Sequence, residues 1–439
     1  MELLSKLDDC IARMDEEEIT LQQYIESNGV KEITNVDSKT GVDRLIYNHA
    51  MNKTQLALAC KVSMPTLNSL EKKLQAEKKI GDFIMQGKSK MYNRFDAEVF
   101  MKEAGAPKYS DNYNPIVATV INHKGGVAKS TTVRTMATAF ALDTSLRMQI
   151  ALCDFDPQGS CGLQGQPKED NDIYLTMADI VLRESDKNST DNRRLYFYDY
   201  MKKYNLEPEE VVLLSTIPTH LPNLRIMSSF PDDERFTDFY HTLPEDEKNN
   251  LLREFKDFVV PILKSEFDLI LIDTPPQDSP ITWSILLASD LIVTPVVPKE
   301  LDYLSTRNFI TFTRDRINQL GIDTIKEWKI LPVIVDENSR QQSYQMDRLV
   351  RTFTDMLMNN RIDSSELFVA ADAIHRTIYD IQRQECMEQR YASRSSYETA
   401  ILSANAVKRE LLQIIKKISI KTEEQLRNEE QEEVNHGTY

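Results

Sequence analysis

Ile116 to Thr132 reads IVATVINHKGGVAKSTT. Five of the seven residues from Ile116 to Asn122 are apolar or Thr of strand-forming type, which suits a strand buried on both faces of a parallel sheet. Gly125 and Gly126 follow at once, and without a Cβ they let successive N–H groups curl around an anion. Lys129 adds a fixed positive charge, Ser130 a hydroxyl suited to Mg²⁺, and residues 131 to 141 a helix whose N-terminus faces the same anion. The stretch specifies a nucleotide phosphate site made of Lys124, Gly125, Gly126, Val127, Ala128, Lys129, Ser130 and Thr131.

Outward from that loop, bulk properties set limits. A chain of 439 residues carries a core of normal size and two or three domains. A formal charge of −16 excludes a general nucleic-acid coat, so any DNA contact must come from local basic patches. No apolar run reaches the roughly 18 residues needed to span a bilayer, and MELLSKLDDC is too acidic for a signal peptide, so a cytoplasmic location without membrane contact is expected. Cysteines 10, 60, 153, 161 and 386 show no C-x-x-C spacing and read as reduced structural thiols. The six histidines lack helical i, i+4 ligand spacing, so no metal beyond the nucleotide's Mg²⁺ is expected.

Upstream, residues 1–42 hold a helix with Leu3, Leu4, Leu7, Ile11, Met14, Leu21 and Ile25 on one face, which reads either as a dimerisation helix or as one packed on the next domain. Residues 43–103 read as a winged helix-turn-helix. A helix from Lys53 to Cys60 and a link through Val62 and Ser63 precede a second helix that has Pro65 in its first turn. That second helix would present Thr66, Asn68, Ser69, Lys72 and Lys73 to the major groove, and DFIMQGKSKMYNRF would form a wing carrying Lys88 and Lys90. Asn52 to Phe95 holds nine Lys/Arg against three Asp/Glu, the electrostatic footprint of a DNA-binding module. Residues 104–115 read as an irregular linker to the main domain, 116–420.

Downstream, a buried strand from Met148 ends in Asp154-Phe155-Asp156-Pro157-Gln158-Gly159, and FDLILID ends in Asp273 ahead of Thr274-Pro275-Pro276. Carboxylates at strand ends beside a phosphate loop suit a Mg²⁺ water shell. Leu291 to Pro298 and Trp328 to Val335 are further strands, and the alternation with helices predicts an α/β fold, a doubly wound and mostly parallel sheet joined to an all-α (winged) N-terminal domain. Residues 164–223 carry no chemical reading. Arg376, Arg383 and Arg390, seven apart, are expected on one helix face, and residues 421–439 as an acidic, disordered tail.

Lys124-Gly125-Gly126 with Lys129-Ser130-Thr131 resembles the deviant Walker A motif, K-G-G-x-x-K-[ST], of the MinD/ParA family of P-loop ATPases. The ordinary spelling is not met, because His123 and Ala128 occupy its glycine positions. Asp154 to Gly159 resembles that family's Walker A′ motif and Asp273 to Pro276 its Walker B motif, in the correct order over roughly 116 to 410. With the N-terminal additions, the chain is similar to the long, type Ia partition ATPases of plasmids and secondary chromosomes. The resemblance implies slow ATP hydrolysis by a homodimer, with Lys124 reaching the partner's nucleotide, Asp156 beside the attacking water, and Ser130, Asp154 and Asp273 near Mg²⁺. It further implies that Asp336 to Gln341 lies by the adenine, and that the ATP form binds nucleoid DNA non-specifically, with Arg376, Arg383 and Arg390 as candidate contacts. It implies higher-order assembly on DNA, a ParB-type partner that stimulates hydrolysis, and an ADP or apo form that represses its own operon. Alternatives are a nucleotide-sensing repressor with a vestigial ATPase and a MinD-like positioning ATPase using an amphipathic Leu411 to Ile420. An electron-transfer ATPase like the nitrogenase iron protein would need cluster cysteines that Cys153 and Cys161 do not supply.

Overall fold

The computed structural model describes residues 7–14, 16–17, 19–20, 42–81, 83–157, 173, 175–187 and 195–428. Most of the proposed N-terminal helix face, together with Gln158, Gly159 and residues 429–439, lies outside them.

Three short strands, β1 (Met51–Asn52), β2 (Ile84–Gln86) and β3 (Ser89–Tyr92), form an antiparallel sheet in the order β1-β3-β2. Gln86 pairs with Ser89 across a two-residue turn, and Gly87 takes the positive φ of +60° that the turn's first central position requires. Helices Lys53–Ala59, Met64–Ala76 and Arg94–Glu103 pack against this sheet. Asn52 caps the first through Gln55 N–H, Ser63 caps the second through Thr66 N–H, and Asn93 caps the third through Asp96 N–H. Leu56, Leu67, Leu74, Tyr92 and Phe100 make the unit's own apolar core. Because it contains a sheet, the unit is not all-α.

The large sheet contains β4 (Ile116–Val120), β5 (Ile150–Asp154), β6 (Ile217–Pro218), β7 (Leu224–Met227), β8 (Leu269–Asp273), β9 (Leu291–Val296) and β10 (Glu327–Pro332). The strand order is β10-β9-β4-β8-β5-β7-β6, parallel except for the β6–β7 pair. Successive residues of one strand go to opposite cores. Ile116, Ala118, Leu152 and Leu271 join helices Lys129–Ala141 and Arg394–Ser419 on one face, while Val117, Cys153, Ile270 and Ile272 join helices Glu245–Glu254, Val260–Glu266 and Pro280–Ala288 on the other. Burial on both faces is why these strands are continuous apolar runs rather than alternating ones.

Three expectations change here. Tyr109, inside the supposed irregular linker, is fully buried and donates its hydroxyl to Ser419 Oγ at 2.6 Å. Lys421 N–H donates to the Asn112 carbonyl at 3.0 Å, and Thr422 Oγ1 accepts from Gln425 N–H at the start of a further helical turn, so the first part of the supposed tail is folded onto the linker. Arg376, Arg383 and Arg390 do not share a helix: residues 374–382 are turns, the helix Arg383–Glu388 is short, and Arg390 has φ +57°.

Candidate nucleotide site

The strand ends put the chemistry together. Asp154 is the register partner of Asp273 across the β5–β8 ladder, and Val120, the last residue of β4, is paired with Asp273 on the other side. Two fully buried carboxylates therefore end adjacent strands, about 5 Å apart by sheet spacing, at the carboxyl edge where doubly wound sheets bind ligands. Each is held by the backbone: Asp154 Oδ1 accepts from Asp156 N–H at 3.0 Å, and Asp273 Oδ1 from Thr274 N–H at 3.0 Å. Thr274 Oγ1 donates to the Val120 carbonyl at 3.0 Å and fastens the end of β8 to the start of the glycine loop.

Asn122 fixes that loop's other root, donating Nδ2–H to the Pro295 carbonyl at 2.9 Å and accepting Lys124 N–H at 3.0 Å. Gly126 has φ +74°, and Ala128, just before the helix Lys129–Ala141, has φ +55°. The ordinary motif has glycine at the second of these positions because it must be left-handed, and alanine holds that conformation at a cost of about 1 kcal/mol. Lys129 is buried, and its Nζ donates to the Lys124 carbonyl at 3.4 Å. Burial lowers its pKa while the charges of Asp273 and Asp156 pull it up again, which places the ammonium in the field of both acids. Ser130 and Thr131 are half-buried at the first helical turn. Lys124 is ion-paired to the buried Asp302 of its own chain, in helix Glu300–Leu320. Sequence reasoning missed Asp302, since nothing in ELDYL marks it as facing the loop.

Beside the loop is a cavity of about 180 Å³ walled by Ala128, Thr131, Val333, Ile334, Phe368 and Asp372, among others. Asp372 Oδ2 accepts from Thr131 Oγ1 at 3.0 Å and its other oxygen pairs with Arg134. Ile334 sits at φ +53°, a real outlier for a β-branched residue, held by Val335 N–H on the Ile362 carbonyl at 3.2 Å. Residues 336–341 are not among its walls, which come from Val333 and Ile334 after β10 and from the 362–372 segment.

The DNA-directed residues divide. Thr66, Asn68, Ser69 and Lys72 are exposed on helix Met64–Ala76, whose other face buries Leu67, Glu71 and Leu74. Lys73 is exposed but paired with Glu103. Lys88 stands free of the hairpin surface, whereas Lys90 turns inward, 2.9 Å from Glu71 and 4.2 Å over the Phe83 ring. Arg376 is buried in a 2.7 Å ion pair with Glu385, which removes it from any surface, while Arg383 and Arg390 are exposed. Cys60 and Cys153 are buried, their thiols pushed up to about 11 and about 12 by desolvation. The apolar face of helix Arg394–Ser419, including Val407, Leu411 and Ile415, is packed in the core and unavailable to lipid. Among the described residues no helix is long and apolar enough to cross a membrane.

A family model described as an AAA domain matches residues 116–321. Plasmid partition protein A of Escherichia coli is 25% identical over 213 residues, which take in 47% of this chain and 48% of that protein. Chromosome partitioning protein ParA of Myxococcus xanthus is 28% identical over 207 residues, 46% of this chain and 59% of that protein. The match thus spans about half the length of these curated relatives. A solved structure named Partition Protein is similar in fold, with a TM-score of 0.58 at 16% identity, covering 86% of this chain and 94% of its own. Sheet order, glycine loop and paired strand-end carboxylates define a P-loop ATPase. Within that class, the chain is similar to the ParA-type partition ATPases.

Proposed function

We propose that this chain is an ATP-dependent DNA segregation protein, cytoplasmic and nucleoid-associated, that hydrolyses ATP slowly as a homodimer. The observation that carries the reading is the register of Asp154 against Asp273 next to the buried Lys129 and the glycine loop. An all-oxygen set of Ser130, Asp154 and Asp273 fits Mg²⁺, which would neutralise charge on the phosphates. The chain's own groups do the rest: amides from Gly125 to Lys129 and the Lys129 ammonium stabilise charge on the β and γ phosphates, and Asp156 orients the attacking water. The cavity bounded by Ile334 and Phe368 takes the adenine. Lys124 leaves Asp302 to reach the partner subunit's nucleotide.

DNA enters through residues 43–103, read as a winged helix-turn-helix with Met64–Ala76 as recognition helix and the β2–β3 hairpin as wing. Operator binding and repression by the ADP or apo form, non-specific binding by the ATP form, assembly on DNA, and stimulation by a ParB-type partner belong to the same proposal. The deciding test is binding of the intact protein to random-sequence DNA with ATP, with ADP and without nucleotide. The reading expects the ATP state to bind clearly more tightly. Identical binding in all three states would favour a regulator whose nucleotide site is idle.

A further inference from the structure

One buried cluster takes no part in the nucleotide chemistry. His49 precedes β1, His220 lies between β6 and β7, and Asp380 is in the turns before helix Arg383–Glu388. The Nε2 atoms of both histidines lie 2.8 Å from the same Asp380 Oδ1, and no two of the three ligand atoms are more than 4.8 Å apart. The rings are stacked with centroids 5.4 Å apart. Side-chain exposure is 8%, 5% and 2% for His49, His220 and Asp380. The carboxylate is itself held: Oδ2 accepts Thr377 N–H at 2.8 Å and Thr377 Oγ1–H at 2.6 Å, leaving Oδ1 to the histidines.

We propose that His49, His220 and Asp380 form a binding site for a divalent transition metal of the Zn²⁺ class, separate from the Mg²⁺–nucleotide site. Two imidazole nitrogens and one carboxylate oxygen are a donor set that such ions take and that hard cations do not. Metal–ligand bonds of about 2.0–2.1 Å place tetrahedral ligand atoms roughly 3.4 Å apart, so the two 2.8 Å contacts need open by only about half an ångström. Each ring then carries its proton on Nδ1. The single carboxylate and the nearby Arg94 guanidinium make the site poor in negative charge, which further disfavours Ca²⁺ and Mg²⁺. The metal's place is structural. Asn48 Nδ2 donates to the Asp380 carbonyl at 3.0 Å and Gln382 Nε2 to the Asn48 carbonyl at 3.2 Å, so the ion staples the root of the N-terminal unit to the C-terminal part of the large domain.

The test uses intact protein, freed of metal by chelator and titrated with Co²⁺ and then Zn²⁺ in the absence of nucleotide. One equivalent of Co²⁺ should bind with the visible absorption of a four-coordinate ion and be displaced by Zn²⁺. His49→Gln and His220→Gln should each weaken uptake by at least about a hundredfold, whereas His241→Gln, at an exposed histidine, should leave it unchanged. X-ray absorption on Zn²⁺-loaded wild type should show two imidazoles, and this readout does not depend on any variant folding. No saturable uptake by folded wild type, or equal uptake in the His220→Gln protein, overturns the proposal and leaves a hydrogen-bonded His–Asp–His clasp.

Discussion

At the carboxyl edge of the large sheet, charge is buried and its position is dictated by strand register. On the outer face of the small N-terminal unit, the lysines of helix Met64–Ala76 and of the hairpin tip stand in water, and their positions depend on whichever acid lies nearby. Asp154, Asp273 and Lys129 have almost no exposed surface and cannot relocate without moving a strand or a helix. Lys72, Lys73 and Lys88 project from one helix and one hairpin, and Lys73 and Lys90 have already found partners in Glu103 and Glu71. The contrast shows why one end can support chemistry, which needs groups fixed in a low-dielectric setting, while the other suits recognition of a polyanion, which needs only excess charge on an accessible surface.

The sharpest way to break the comparison is at Lys129. Lys129→Ala should lower nucleotide affinity by at least about a hundredfold, measured by calorimetry. Equal affinity in wild type and variant would show that the buried charge does not serve the phosphates. Next is Glu71, a buried acid of the small unit, which accepts from Lys53, from Lys90 at 2.9 Å and from Tyr92 at 3.1 Å. Burial pushes its pKa up, but the two lysines outweigh that and hold it below the ordinary 4.5. A lowered folded value means the stability it contributes is fully present above pH 4.5 and is lost as pH falls through the folded value. Glu71→Gln should cost about 1–2 kcal/mol in urea denaturation near neutral pH and flatten the unit's acid sensitivity. An unchanged acid profile would place its ionisation outside the unit's stability.

The third effect concerns the left-handed Ala128. Ala128→Gly should relieve about 1 kcal/mol of local strain, partly offset by unfolded-state entropy, and should leave nucleotide binding intact. A large loss of binding would mean the methyl group itself shapes the loop. The smallest effect separates two lysines on the small unit. Lys72→Ala should reduce the salt slope of DNA binding by about one ion, while Lys90→Ala, at a lysine already committed to Glu71, should change it by less. Equal slopes for the two variants would dissolve the distinction between free and committed charge.

The glycine loop and both strand-end aspartates were legible because each is contiguous with the strand that positions it, so local periodicity carries the information. The seven-residue spacing of Arg376, Arg383 and Arg390 misled for the opposite reason. A turn at 374–382 breaks the helix, and Glu385 offers Arg376 a buried partner, neither of which spacing alone reveals. Asp302, the cavity wall at 362–372 and the meeting of His49 with His220 depend on contacts between segments far apart in the chain. The linker misread is of the same kind, since Tyr109 is ordered by Ser419, 310 residues away.

The helix Lys129–Ala141 begins at the phosphate loop, and its last carbonyl, that of Ala141, accepts the Arg94 guanidinium of the small unit at 3.0 Å. Thirteen residues at 1.5 Å rise make a rod of about 20 Å with an anion site at its positive end and a cation at its negative end. A stiff body cannot be displaced at one tip alone. The glycine loop and the small N-terminal unit thus meet opposite ends of one stiff helix, fittings on a shared axle.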